Sequence, residues 1–124
     1  MAYDDSNIFA RILRGEIPND TVAENEHALA FRDIRPQAPV HVLVIPKGAY
    51  VSYDDFAANA PDAEIVAFHR LVAQVARSEG LMLAEGSAGF RAITNAGDDG
   101  VQEVPHFHLH LLGGRPLGRM LAPQ

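Results

Sequence analysis

An α+β fold with a mostly antiparallel sheet is predicted by three features of the sequence. The recognisable elements follow in the order helix, strand, strand, strand, helix, strand, strand. No repeat, low-complexity segment or internal linker interrupts them. At 124 residues the chain has the length of one domain.

The first helix begins at Ser6 or Asn7, either of which can cap it, and runs through Arg14. Ile8, Phe9, Ile12 and Leu13 form its apolar side and Gly15 ends it. Pro18 and Asn19-Asp20 mark a turn. Thr21–Glu24 and Ala28–Arg32 read as two strands of a hairpin joined at Asn25-Glu26-His27. The stretch from Ile34 to Pro39 is irregular, because proline cannot donate to a sheet ladder. His41–Ile45 is a β-branched, apolar run closed by Pro46-Lys47-Gly48, the pattern of an internal strand. Residues 49–60 read as a loop or short helix. From Pro61 to Glu79 the period becomes helical, with Ile65, Phe68, Val72 and Val75 at 3-4-3 spacing. Val66, Ala67, Leu71 and Ala76 make that stripe wider than one sheet face needs, which leaves room for a symmetry mate. Phe90–Thr94 and Phe107–Leu112 complete the strands.

Composition excludes several partners. Ten Lys+Arg against 16 Asp+Glu give a net charge of −6, so neither nucleic-acid polymers nor anionic membranes are attracted in general. Asp4 and Asp5 stand where a secretion signal would be basic, and no run approaches the roughly 18 apolar residues of a membrane span. A cytoplasmic protein is expected. Cysteine is absent, which removes disulfides, thiolate metal sites and cysteine nucleophiles together. Histidine stands out, with six residues, three of them at 106, 108 and 110.

In a strand, His106, His108 and His110 share one face and Phe107, Leu109 and Leu111 the other. Alternate Cα atoms lie about 6.6 Å apart, so the three imidazoles line one strip. Gly113-Gly114 follows, where backbone can approach a ligand closely. Three readings are open. The strip is a half-exposed face that happens to be histidine, or a zinc site, or acid–base and nucleophilic machinery. One straight strand spreads its first and third rings too far for a single ion unless it bulges.

The run His106-Phe-His-Leu-His-Leu-Leu112 resembles the signature of the histidine triad superfamily of nucleotide hydrolases and transferases. Further blocks resemble its Hint-like purine nucleoside phosphoramidase branch. They are Asn7 to Pro18, Ala30 to Pro39, His41 to Lys47 and Leu111 to Arg115. The resemblance implies one domain over residues 1–124, with a core at about 7–115 and a tail at 116–124. It also implies a five-stranded antiparallel sheet with two helices, and a homodimer with one continuous sheet.

The implied activity is hydrolysis of purine nucleoside 5′-phosphoramidates, giving AMP and an amine, with no metal and no cofactor. By that resemblance His108 attacks the α-phosphorus and His110 donates to the phosphate or the bridging atom. His106 bridges to His41 or to a backbone group, and His41 is the fourth histidine of the site. Asp33 would take the ribose hydroxyls, while Ile34, Phe9, Ile12 and Phe31 would sandwich the purine. Asn95 would donate to the α-phosphate. The backbone of Gly100-Val101-Gln102-Glu103-Val104 would cup phosphate oxygens. Two residues depart from the pattern. Glu103 stands where the best-known members have Ser or Thr, and Val101 stands where Gly is usual. A dinucleoside polyphosphate hydrolase and a catalytically weak purine-nucleotide-binding dimer are the alternatives. A metalloprotein is a fourth reading.

Overall fold

A computed structural model describes residues 2–121. Helix α1 (Ile8–Leu13) starts at Asn7, whose side chain accepts from the Ala10 N–H, and Gly15 follows it with φ +78°. Strands β1 (Thr21–Glu24), β2 (Ala28–Arg32) and β3 (Val40–Pro46) come next, then α2 (Tyr53–Asn59) and α3 (Asp62–Ser78). A 3₁₀ turn (Leu83–Glu85) leads to β4 (Phe90–Ile93) and β5 (Leu109–Gly113). All neighbours in the sheet are antiparallel, in the order β1-β2-β3-β5-β4.

Alternation along β2 and β3 divides the core in two. Ala28, Ala30, Val42 and Val44 face α3 and pack with Phe56, Phe68, Leu71, Phe107 and Leu111. Leu29, Phe31, Leu43 and Ile45 face the other way and pack under Phe9 and Ile12 of α1. Both faces of β3 are therefore buried, as its apolar run predicts. The α3 stripe exceeds what the sheet covers, and Val66 remains half exposed.

Three expectations need correction. Among the described residues there are three α-helices where the resemblance implies two, because residues 53–59, within the stretch read as a loop or short helix, form α2. Asp54 and Asp55 suit its first turn, and Phe56 is its buried anchor. The last strand begins at Leu109 instead of Phe107. The Phe107 N–H donates to the Tyr50 carbonyl, and the His106 N–H to Val104, so neither joins the ladder. Side-chain alternation nevertheless persists through 106–111, with Phe107 and Leu111 in the α3-side core. Gly113-Gly114 serves close packing within the fold. A Cβ on Gly113 would lie 2.5 Å from Leu81 Cδ2, and one on Gly114, at φ +95°, 2.8 Å from Pro39 Cβ. In the expected tail, residues 116–121 form neither helix nor strand, and 122–124 lie outside the described residues.

Candidate functional site

Four histidines converge where β3, β5 and the segment before β5 meet. Peptide groups settle the protonation pattern of each, because an N–H only donates and a carbonyl only accepts. The Gln37 N–H donates to His41 Nδ1 over 3.1 Å, so His41 carries its proton on Nε2. That proton is shared with His110 Nδ1, 2.9 Å away. His110 Nδ1 is therefore an acceptor, and a neutral His110 holds its own proton on Nε2. His108 Nδ1–H donates to the His106 carbonyl over 2.8 Å, which leaves a lone pair on His108 Nε2. His106 Nε2–H donates to the Pro46 carbonyl over 2.8 Å. Of the two bridges expected for His106, the backbone one forms and the one to His41 does not.

Burial keeps these rings neutral. His106 is fully buried and is pushed down to about 4, against the opposing pull of its bond to Pro46. His110 is also pushed to about 4, by burial and then by its neighbours His108 and His41. Burial lowers His108, an effect offset by its bond to the His106 carbonyl and by the negative charges of Asp33 and Glu103. Burial lowers His41 as well, with Asp33 opposing. Near neutral pH the site thus presents one imidazole lone pair, on His108, beside one imidazole N–H, on His110. Their ring centroids are 5.1 Å apart. A nucleophile and a proton donor side by side suit displacement at an electrophilic centre bearing oxygens.

Both rings line a cavity of about 490 Å³. Phe9, Ile12, Phe31 and Leu43 give it an apolar floor, and Phe9 meets His108 edge-on at 4.9 Å. Ile34 stands at its rim, 89% exposed. It is therefore placed to cover a flat ligand from outside, while Phe9, Ile12 and Phe31 are mostly core. Asp33 lies on the same wall. Its Oδ1 accepts from the Arg35 N–H at 2.8 Å, and its Oδ2 is 3.5 Å from His41 Nε2, where it acts through charge. Asn95, Val101 and Glu103 close the cavity from the β4–β5 side.

The Gln102 side chain serves the loop itself. Its Nε2 donates to the Val51 and Val104 carbonyls and its Oε1 accepts from the Gly97 N–H, so it tethers the loop. The expected cup of peptide N–H groups is also partly spent, since Val101 N–H donates to Asp98 and Gln102 N–H to Gly97. Val101 has φ +57° and is the one non-glycine residue in the left-handed region among those described. That conformation is strained for a β-branched residue and explains why glycine would suit the position.

Three residues escape sequence reasoning. Tyr3 reaches His106 Nδ1 at 2.6 Å, Asn7 donates to the Tyr3 hydroxyl as well as capping α1, and Thr94 Oγ1 donates to the His108 carbonyl at 2.8 Å. Only Asn7 carries a local signal, its cap, and that signal says nothing of Tyr3.

One group among the described residues could hold a cation. Asp33, His41 and His110 offer ligand atoms within 4.8 Å of one another. A metal there would have to replace the hydrogen bond between the two imidazoles. His106 and His108 do not belong to that group.

A sheet with two covered faces and four tautomer-locked histidines, two of them lining the cavity, defines the class of this protein. Residues 14–117 match the family model of the HIT domain, and the chain belongs to that family. It is 57% identical over 119 residues to an uncharacterised 13.2 kDa HIT-like protein of Azospirillum brasilense, covering 96% of this chain and 94% of that one. It is 43% identical to the purine nucleoside phosphoramidase of Escherichia coli over 118 residues, covering 95% of each chain. Among solved structures, a histidine triad protein from Clostridium difficile superposes with a TM-score of 0.79 at 38% identity, covering 97% of this chain and all of that one. No helix among the described residues is long and apolar enough to cross a membrane.

Proposed function

We propose that this protein hydrolyses purine nucleoside 5′-phosphoramidates through a nucleotidyl-histidine intermediate. The observation that carries the reading is the tautomer pattern. His108 is left with an unpartnered Nε2 lone pair in the same cavity as the free Nε2–H of His110. The E. coli relative, named a purine nucleoside phosphoramidase, supports the choice of substrate.

In the first step the His108 Nε2 lone pair forms a bond to the α-phosphorus. The phosphorus–nitrogen bond breaks, and the amine leaves with that electron pair and takes a proton from solvent water. His110 Nε2–H donates to the phosphoryl group as its charge rises, and His41 Nε2–H holds His110 in the tautomer that can do so. In the second step water attacks the phosphorus and loses a proton to solvent, matching the one the amine took. The histidine–phosphorus bond breaks, its electron pair returns to His108 Nε2, and AMP is released. Dividing the displacement in two lowers each barrier. Asp33 takes ribose hydroxyls on the free lone pairs of its carboxylate, and the purine lies between Ile34 and the floor made by Phe9, Ile12 and Phe31. Asn95 donates to the phosphate.

The working unit in this proposal is a homodimer. β4 is a sheet edge, and Phe90 on it and Leu83 near its start are exposed apolar side chains that a second copy would cover.

Purified His108→Ala, assayed with an adenosine 5′-phosphoramidate, should lose essentially all turnover while calorimetry still detects AMP binding. Undiminished hydrolysis by that variant would refute the mechanism.

A further inference from the structure

Residues before α1 reach into the histidine site from 103 positions away in sequence. The direction of every hydrogen bond in that contact follows from chemistry. Asn7 Oδ1 accepts from the Ala10 N–H at 2.9 Å, which fixes which end of the amide is oxygen. Its Nδ2 therefore donates, to the Asp4 carbonyl at 2.8 Å and to the Tyr3 hydroxyl at 3.0 Å. With its oxygen accepting from Asn7, the Tyr3 hydroxyl has its single proton free for His106 Nδ1, 2.6 Å away. On the far side of the ring, His106 Nε2–H meets the Pro46 carbonyl. The ring is held at both nitrogens, and Tyr3 also packs edge-on against it at 5.6 Å.

We propose that Tyr3, oriented by Asn7, is a positioning residue for the reaction: it holds His106 in place and so fixes the carbonyl that orients His108. His106 contributes its ring to Tyr3 and Pro46 and its carbonyl to His108 Nδ1–H. The two ring bonds anchor His106 from both sides, and with it the residue whose carbonyl selects the His108 tautomer. His106 is fully buried, so removal of the Tyr3 hydroxyl leaves Nδ1 with no water to turn to. Tyr3 and Asn7 both lie before residue 14, where the match to the family model begins. The proposal rests on the reading of His108 as the nucleophile.

Tyr3→Phe keeps the ring and deletes only the hydroxyl. Imidazole nitrogen NMR on the ligand-free protein should show the His106 Nδ1 resonance moving from a bonded to an unbonded acceptor, and the His108 Nδ1–H signal weakening. With an adenosine 5′-phosphoramidate, kcat should fall about tenfold, the weight of one lost buried hydrogen bond, with KM within about twofold. Asn7→Asp is the second variant. Its carboxylate still accepts from Ala10 N–H but draws the Tyr3 proton away from His106, so it should shift the same resonances and lower kcat in the same sense. A kcat within about twofold of the parent in both variants overturns the proposal, as does an unchanged His108 signal. If the parent protein does not turn over the phosphoramidate, the functional reading fails, and the His108 signal alone then decides whether Tyr3 positions it.

Discussion

Acidification should weaken this protein well above the pH at which its carboxylates titrate, and His106 is one of two leading causes. Its imidazole is fully buried and pushed down to about 4, against an ordinary value of 6.5 in the unfolded chain. The folded pKa is the lower one, so its contribution is fully present above pH 6.5 and is lost as pH falls toward 4. Inside that window the unfolded chain holds one more proton than the folded chain, which weakens folding by about 1.4 kcal/mol per pH unit. Integrated from about pH 7 to about pH 5, the loss through His106 is about 2 kcal/mol. His110, also pushed to about 4, adds a comparable amount, and His41 and His108 shift in the same direction. A combined loss of about 4 kcal/mol is a large part of the roughly 5–15 kcal/mol that holds a typical domain folded. Urea unfolding of the parent and of His106→Asn at both pH values measures it. Asparagine does not titrate, so the variant, although weaker at pH 7, should lose about 2 kcal/mol less on acidification. Equal losses in the two proteins would refute a buried neutral His106.

Two further outcomes follow from the same geometry. Glu103 is one of the charges that hold His108 up, so Glu103→Gln should lower the His108 pKa and move the acid limb of the kcat/KM profile to lower pH; a limb that moves up would show that the charge does not face His108. Val101→Gly should raise stability by about 1 kcal/mol in denaturant titration, because relief of left-handed strain of about 1–3 kcal/mol exceeds the entropic cost of glycine, about 0.5–1 kcal/mol. A less stable variant would mean that the Val101 side chain packs more usefully than its backbone suffers.

The parts of the fold that were legible are those with a local code. Thr21–Glu24 and Ala28–Arg32 fall where the hairpin pattern puts them, and Pro61 and Gly80 bracket α3. Period-two alternation placed the histidines on one side and Phe107 and Leu111 on the other, although the sheet ladder does not extend below Leu109. The alternation reports side-chain burial; pairing also depends on which carbonyl is near, and for Phe107 that is Tyr50 in the loop after β3. The resemblance makes the peptide N–H of Gln102 part of a phosphate cup, whereas that N–H is spent on the Gly97 carbonyl and the side chain reaches the Val51 carbonyl, 51 residues away. Tyr3 had no periodic pattern to betray it, and a partner 103 residues distant leaves no trace in local spacing.

Helix α1 joins these two kinds of information. At six residues it is far too short to persist alone, since isolated helices are marginal below about 12–15 residues. It exists because Phe9 and Ile12 bury against β2 and β3 and because Asn7 caps it. The same Asn7 amide spends its oxygen on the cap and its nitrogen on Tyr3, and Phe9 packs against the His108 ring. Docking of α1 therefore completes the apolar floor of the cavity, orders Tyr3 against His106 and presses an aromatic edge on His108 in one event. Local opening of this short helix would undo all three together, so the order of the histidine site is set by the packing of a helix that contributes none of the four histidines.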